Sequence, residues 1–270
     1  MMNELNYHLI KNTIEKEYRN KGIITLFIFT LLFILAGHGL AIAAKEFVIE
    51  SNLNTFISDT SQGIILNFVS FATNIVTIFI AISAVKSDVD SSLINQVLSF
   101  PLTRFGYILN RVIGSCILSI AFYVISSVFG FILLALTGDI KFDFLNYILS
   151  IVFMSIQIFG MTITGILFSL YINKVGSFLF TFFFYVFSKV VYHNVVYNGL
   201  SFENLSIFSV FKYFIHFLTP RVGELTYIAE QVISKSDFTI MSAGLSVLHF
   251  LVMCIIWLFI IKLIFNKREF

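Results

Sequence analysis

Six stretches of about twenty apolar residues, each long enough to cross the ~30 Å hydrocarbon core of a bilayer, dominate this chain. They fall at 23–44, 63–85, 106–137, 147–171, 177–197 and 242–265. A chain that is 58% hydrophobic and only 12% charged is excluded from the water-soluble class, where about a quarter of residues are charged. The expected fold is therefore an all-α polytopic membrane protein, a single transmembrane domain over 1–270 with six membrane-spanning helices. The third run exceeds one crossing and is expected to tilt or to project beyond the lipid. Ala41-Ile42-Ala43 has the small-x-small look of a leader cleavage site. The apolar run before it is long enough to span, and about twenty largely polar residues precede it, so the first helix is expected to be retained.

Orientation follows from the basic residues. With the N-terminus in the cytoplasm, Lys11, Lys16, Arg19, Lys21, Lys86, Arg104, Arg111, Lys174, Lys262, Lys267 and Arg268 lie inside. Lys45, Lys141, Lys189, Lys212, Arg221 and Lys235 are left on the outer side. The excess inside predicts a multi-pass protein of the cytoplasmic (inner) membrane with both termini in the cytoplasm.

Three segments do not span. Residues 1–22 hold Tyr7, Ile10, Ile14 and Tyr18 at helical spacing, with Lys11, Glu15 and Arg19 stacked at i, i+4 on another side. That pattern predicts an interfacial amphipathic helix, its apolar face toward lipid or the bundle. Residues 198–241 carry two stripes, Leu205 to Leu218 and Val222 to Ile233, interrupted by Pro220. They are expected to be amphipathic helices on the outer surface or capping the bundle, with a re-entrant dip of 202–218 as the alternative.

The third is 86–104, on the cytoplasmic side. Asp88 or Asp90 can cap a helix, Leu93, Ile94, Val97 and Leu98 form one apolar face, and Pro101 ends the helix near Phe100. A turn between antiparallel spans needs only a few residues, so a segment with helix start and stop signals is more than connection demands. A short helix there suits docking of a soluble partner.

The order of these segments resembles the ABC-2 type transporter permeases, the membrane subunits of one class of ATP-binding-cassette exporter. Their recurring stretch after the second span is an acidic residue, a Gly-Thr-like pair, a Leu-rich helix, Pro-x-Ser/Thr-Arg and a downstream basic residue. Here Asp88 and Asp90, Ser91-Ser92, Leu93 to Leu98, Ser99-Phe100-Pro101-Leu102-Thr103-Arg104 and Arg111 stand in that order. Ser91 replaces the usual Gly and Arg111 the usual Lys; Leu218-Thr219-Pro220 is similar to the family's Leu-Asn-Pro. Among subfamilies the likeness is to stand-alone permeases related to those serving copper-enzyme maturation. The resemblance implies that 90–100 is a coupling helix seated in a cytoplasmic ATPase subunit. Two ATPases and a second copy of this chain would complete the unit, with ATP and magnesium bound by the partner. Asp88, Asp90, Leu93, Ile94, Val97, Leu98, Pro101 and Arg104 would then be the docking residues.

The chain itself shows no P-loop, no HExxH and no CxxC, and His8, His38, His193, His216 and His249 are scattered. It is expected not to be an enzyme and to hold no metal or cofactor. No Asp or Glu falls inside a predicted span, which argues against a proton-coupled carrier. On span two, Asn67, Ser70, Asn74 and Thr77 share one face, either a pathway or dimer-facing stripe or plain interhelical bonding. In the outer half of span five, Lys189, Tyr192 and His193 cluster, and Lys189 either meets an anionic group or snorkels to the interface. The other class of function compatible with this pattern is a membrane scaffold that docks an extracytoplasmic partner at 198–241 and moves no substrate.

Overall fold

The computed structural model describes residues 5–50, 57–98, 102–137, 144–198, 207–234 and 240–267, and these form helices without strands. Six helices are long and apolar enough to cross a membrane: α2 (Lys21–Glu50), α3 (Ile57–Asp90), α5 (Arg104–Thr137), α6 (Phe144–Tyr171), α7 (Lys174–Asn198) and α10 (Ile240–Lys267). The chain is a multi-pass membrane protein of the expected all-α class. Between and before these lie α1 (Tyr7–Arg19), α4 (Leu93–Leu98), α8 (Ile207–Leu218) and α9 (Val222–Ser234). The end of the bundle at which α1 lies and α10 finishes is called the near end below.

Local chemistry sets the near-end boundaries. Asn6 caps α1, its Oδ1 accepting the His8 amide at 3.0 Å. Asn20 ends α1 and starts α2 by accepting the Gly22 amide at 3.0 Å. Thr103 Oγ1 accepts the Gly106 amide at 2.8 Å to open α5, and Asn173 Oδ1 accepts the Gly176 amide at 2.8 Å to open α7. Each is a short polar side chain satisfying a donor that the first helical turn leaves open.

Helix α3 is central and packs against α2, α5, α6, α7 and α9. Lipid tails are as apolar as Leu, so helices in a membrane associate by close fit and internal hydrogen bonds rather than by escape from water. Gly165 of α6 shows the fit: a Cβ there would lie 2.9 Å from that of Ala81 on α3. Gly160 meets the Phe250 ring of α10, and Thr164, one turn on, donates to the Gly160 carbonyl at 2.8 Å.

Two expectations change. Helix α3 runs on to Asp90, so neither Asp88 nor Asp90 caps the next helix. Instead Ser91 and Ser92 make a tight turn, with Ser92 at φ 55°, and α4 follows directly. The Ser91 hydroxyl donates to the Ser87 carbonyl at 2.6 Å, beside the Ser91 amide that donates to the same oxygen at 3.2 Å, and together they close the last turn of α3. Residue 101, the expected Pro stop, lies outside the described residues.

The second change is larger. Helix α9 does not lie on a surface: Val222, Leu225, Ala229 and Val232 are buried, and the helix packs against α6, α7 and α3. The Gly223 amide donates to Ser188 Oγ at 3.0 Å, about ten residues (about 15 Å) short of the far end of α7. Helix α8 runs beside α7, with Phe211 edge-on to Phe187 at 5.5 Å and Phe214 and Phe217 outward. The connection between α8 and α9, with Pro220 in it, reaches well into the bundle beside Ser188 of α7. Its sequence signal was present: 222–234 contains no Lys or Arg, whereas a surface-lying membrane helix is rich in them.

Candidate functional site

At the near end, Asp88 on the last turns of α3 is the centre of a buried charge cluster. Its Oδ1 lies 2.5 Å from Lys16 Nζ of α1, and its Oδ2 lies 2.5 Å from Arg111 Nη2 of α5. The Tyr107 hydroxyl donates to the same Oδ2 at 2.7 Å, and Lys16 also bonds the Ser87 hydroxyl. Asp88 and Arg111 are each 2% exposed. Arg111 spends Nη1 on Thr13 Oγ1 at 2.8 Å, and Tyr107 stacks on Phe265 of α10 at 5.7 Å. One carboxylate thus takes three charge-assisted or phenolic donors, which offsets the cost of removing Asp88 and Arg111 from water. The cluster ties α1, α3, α5 and α10 into one block.

This arrangement reassigns several expected docking residues. Asp88 is interior and fully engaged, so it positions the end of α3 instead of meeting a partner. Arg104 Nη1 donates to the carbonyls of Phe265 (3.3 Å) and Asn266 (3.0 Å), capping the last turn of α10. Ile94 is 1% exposed and Val97 packs on the same core, whereas Leu93 is 44% exposed. The apolar face of α4 therefore splits: Ile94 and Val97 hold the helix to the bundle, and Leu93 faces out. Asp90 stays at the surface, 3.3 Å from Lys174 Nζ and 3.9 Å from Lys86 Nζ. The side chain of Leu98 and the whole of Pro101 lie outside what the structure describes.

Of the two expected orientations of α1, the one with its whole apolar stripe against the bundle does not hold. Thr13 and Glu17 are its buried residues, and Tyr7 and Tyr18 point away. The cause is the surface it meets, since Arg111 and Asp88 offer polar partners there. Neither Glu17 oxygen makes a hydrogen bond of sound geometry. Burial pushes the Glu17 pKa above the ordinary carboxylate value, and the Ser83 hydroxyl and the Lys16 and Arg111 charges pull it back only in part. The folded state then holds this proton more tightly than the unfolded chain. Its contribution to stability is full below the unfolded pKa and is lost as pH rises through the folded one. Glu17→Gln is expected to raise the melting temperature at pH 7–8 by roughly 2–4 °C, corresponding to about 1 kcal/mol, and to flatten its fall between pH 5 and 8. A thermal-unfolding series in detergent reads both, and an unchanged slope would mean that Glu17 is ionised and satisfied.

The second polar group lies toward the far end and joins two sets that the sequence kept apart. Asn74 Nδ2 donates to the Ser70 carbonyl at 2.8 Å and its Oδ1 accepts from Gln157 Nε2 of α6 at 2.8 Å. Lys189 Nζ of α7 reaches Asn67 Oδ1 and Glu230 Oε1 of α9, each at 3.2 Å. Tyr192 lies against Tyr227 of α9 at 5.3 Å, while His193 is exposed. Thr77 is buried within α3 below Asn74. Deeper along α9, Glu224 accepts from Ser246 of α10 at 2.5 Å and pairs with Arg221 at 3.3 Å. Sequence reasoning missed Glu224 and Glu230 because their helix was not expected inside the bundle. Carboxylates are therefore present among the packed helices, on α9, although the predicted spans themselves contain none.

Among the described residues no group of His, Cys, Asp and Glu is arranged to hold a metal ion, and Cys116 and Cys254 are buried free thiols. Neither a protein-family model nor a curated protein matches the chain.

Proposed function

We propose that the chain is the permease subunit of an ABC-2 type exporter, working as a homodimer with two cytoplasmic ATPase subunits that bind ATP and magnesium. The single observation that carries this reading is α4: a short helix set off by a tight turn at the near end, held from behind by Ile94 and offering Leu93 outward. A surface of that kind transmits force only if it is rigidly joined to the spans. The Asp88 cluster supplies the joint, since movement of the α3 end carries α1, α5 and α10 with it. Coupling further requires that the ATPase bind two arrangements of the bundle with different affinity. In this reading the near end is cytoplasmic, both termini lie there, and the chain itself hydrolyses nothing.

The test is to purify the tagged chain from its native membrane in mild detergent and assay co-purifying ATP hydrolysis. A stoichiometric P-loop ATPase is expected. Leu93→Asp is expected to cut its retention at least about tenfold, the effect of losing about 1.4 kcal/mol at a central apolar contact. Membrane insertion should be unaffected, because Leu93 lies outside the spans and faces outward. Recovery without a nucleotide-binding partner would sink the reading.

A second reading, a carrier that needs no ATPase, draws on the Lys189–Glu230 and Arg221–Glu224 pairs, since charged groups among membrane helices are commonly functional. It predicts substrate movement by this chain alone in sealed vesicles without nucleotide. In the scaffold alternative the docking face would be the outward side of α8, with Phe214 and Phe217, since the apolar stripe of α9 is inside the bundle.

A further inference from the structure

A lateral cleft of about 670 Å³ opens at the near end between the first half of α2, the end of α3 and the start of α7. Its walls are apolar, with Leu26 and Phe29 from α2, Phe79 and Ile82 from α3, and Val175 and Phe178 from α7. Its one charged lining residue, Lys174, lies at the rim with Asn20, and the uncharged Thr25 and Ser83 stand further in. We infer that this cleft binds one anionic phospholipid, with an acyl chain between the three helices and the phosphate at Lys174.

Dimension is the first argument. Along α2 the cleft runs from Asn20 to Phe29, about 14 Å at 1.5 Å per residue, which is half of a ~30 Å hydrocarbon core. It is one leaflet deep. A spanning helix of a second copy would need a groove along the whole bilayer, whereas a single lipid needs half of it with charge at one end only.

Charge is the second. At the rim two ammonium groups share one carboxylate, since Lys174 and Lys86 both face Asp90, at 3.3 and 3.9 Å. Lys21, at the start of α2, adds an exposed positive charge beside the rim residues Asn20 and Gly22. The Lys174–Asp90 pair is half-exposed on both sides, and such pairs hold their partners weakly. A phosphate arriving at headgroup level can therefore take Lys174 while Lys86 keeps Asp90 company. A zwitterionic lipid would bring its own cation to a rim that already has an excess of them. The inference needs only the membrane location and does not depend on the proposed transport role.

The experiment uses the full chain, delipidated in mild detergent. Native mass spectrometry is run with phosphatidylglycerol and phosphatidylcholine of identical acyl chains, and with inorganic phosphate. One phosphatidylglycerol per chain is expected to be retained in preference to phosphatidylcholine. Lys174→Gln should weaken that preference about fivefold, the typical worth of one lysine at an anionic headgroup. Lys11→Gln, which removes an equal charge from the exposed side of α1, should leave it unchanged. Leu26→Trp, which fills the cleft, should reduce retention of both lipids. Equal retention of the two lipids, equal loss in the Lys11 variant, or full retention with the cleft filled would each overturn the inference. So would displacement of phosphatidylglycerol by inorganic phosphate, which would mark a phosphate site, or a dimer that forms only when lipid is excluded.

Discussion

Asp88→Asn is expected to lower the stability of the detergent-solubilised chain by about 3–5 kcal/mol, the usual cost of removing one partner from a buried ion pair. In melting temperature that corresponds to a fall of roughly 6–20 °C. The reason is electrostatic. With Asp88 neutral, Lys16 and Arg111 remain beside each other in a site where Arg111 is 2% exposed. Replacing all three with apolar residues of similar volume (Asp88→Leu, Arg111→Met and Lys16→Met), together with Glu17→Gln because Glu17 would otherwise lose both neighbouring cations, is expected to recover most of the loss, because no buried charge is then left alone. Thermal unfolding of the single and combined variants checks both statements. A single variant within about 1 kcal/mol of the native chain would mean that water reaches the cluster and screens it. The combined variant carries a second use: if it is stable yet retains no ATPase activity in the pull-down, the cluster serves coupling as well as folding.

The next largest effect is expected at Gly223. A Cβ there would lie 2.5 Å from both the carbonyl carbon and the oxygen of Ser188. Both are backbone atoms of α7, so the contact cannot be relieved by a side-chain rotation. Gly223→Val should cost about 3 kcal/mol, the upper end of the usual range for overpacking, and push the start of α9 away from α7. Thr226, buried on the first turns of α9, reports the movement. In a Thr226→Cys background, reactivity toward a maleimide is expected to be low while Gly223 is kept and to rise when Gly223→Val is added. The native thiols, Cys116 and Cys254, are buried and give little background. Gly39→Ala is the control, since a Cβ there meets nothing within 4 Å. If labelling does not rise in the valine variant, α9 does not depend on this close approach.

These two sites mark where reading the chain residue by residue reaches its end. The stripe of Asn67, Ser70, Asn74 and Thr77 was legible as one helical face, because helix geometry alone relates residues three and four apart. Its partners were not legible. Gln157 lies on α6, and the link to Lys189 closes on α9. Asp88 presents the same limit from the other side. Its place beside Asp90 and before a Leu-rich helix suggests a surface residue, yet less than one turn of helix separates a surface from an interior position. Asp90, two residues on, does reach the surface and meets Lys174. What decides between them is the position of Arg111 and Lys16, on two other helices.

What the sequence determined by itself is the membrane class, the six spans and the existence of a short helix between the second and third. Each of these follows from hydropathy, length or a stop signal within one segment. The burial of α9, the inward turn of Glu17 and the splitting of the α4 face were decided only by the tertiary structure. They depend on which polar groups on different helices meet, and in a membrane interior a polar group settles where another can satisfy it.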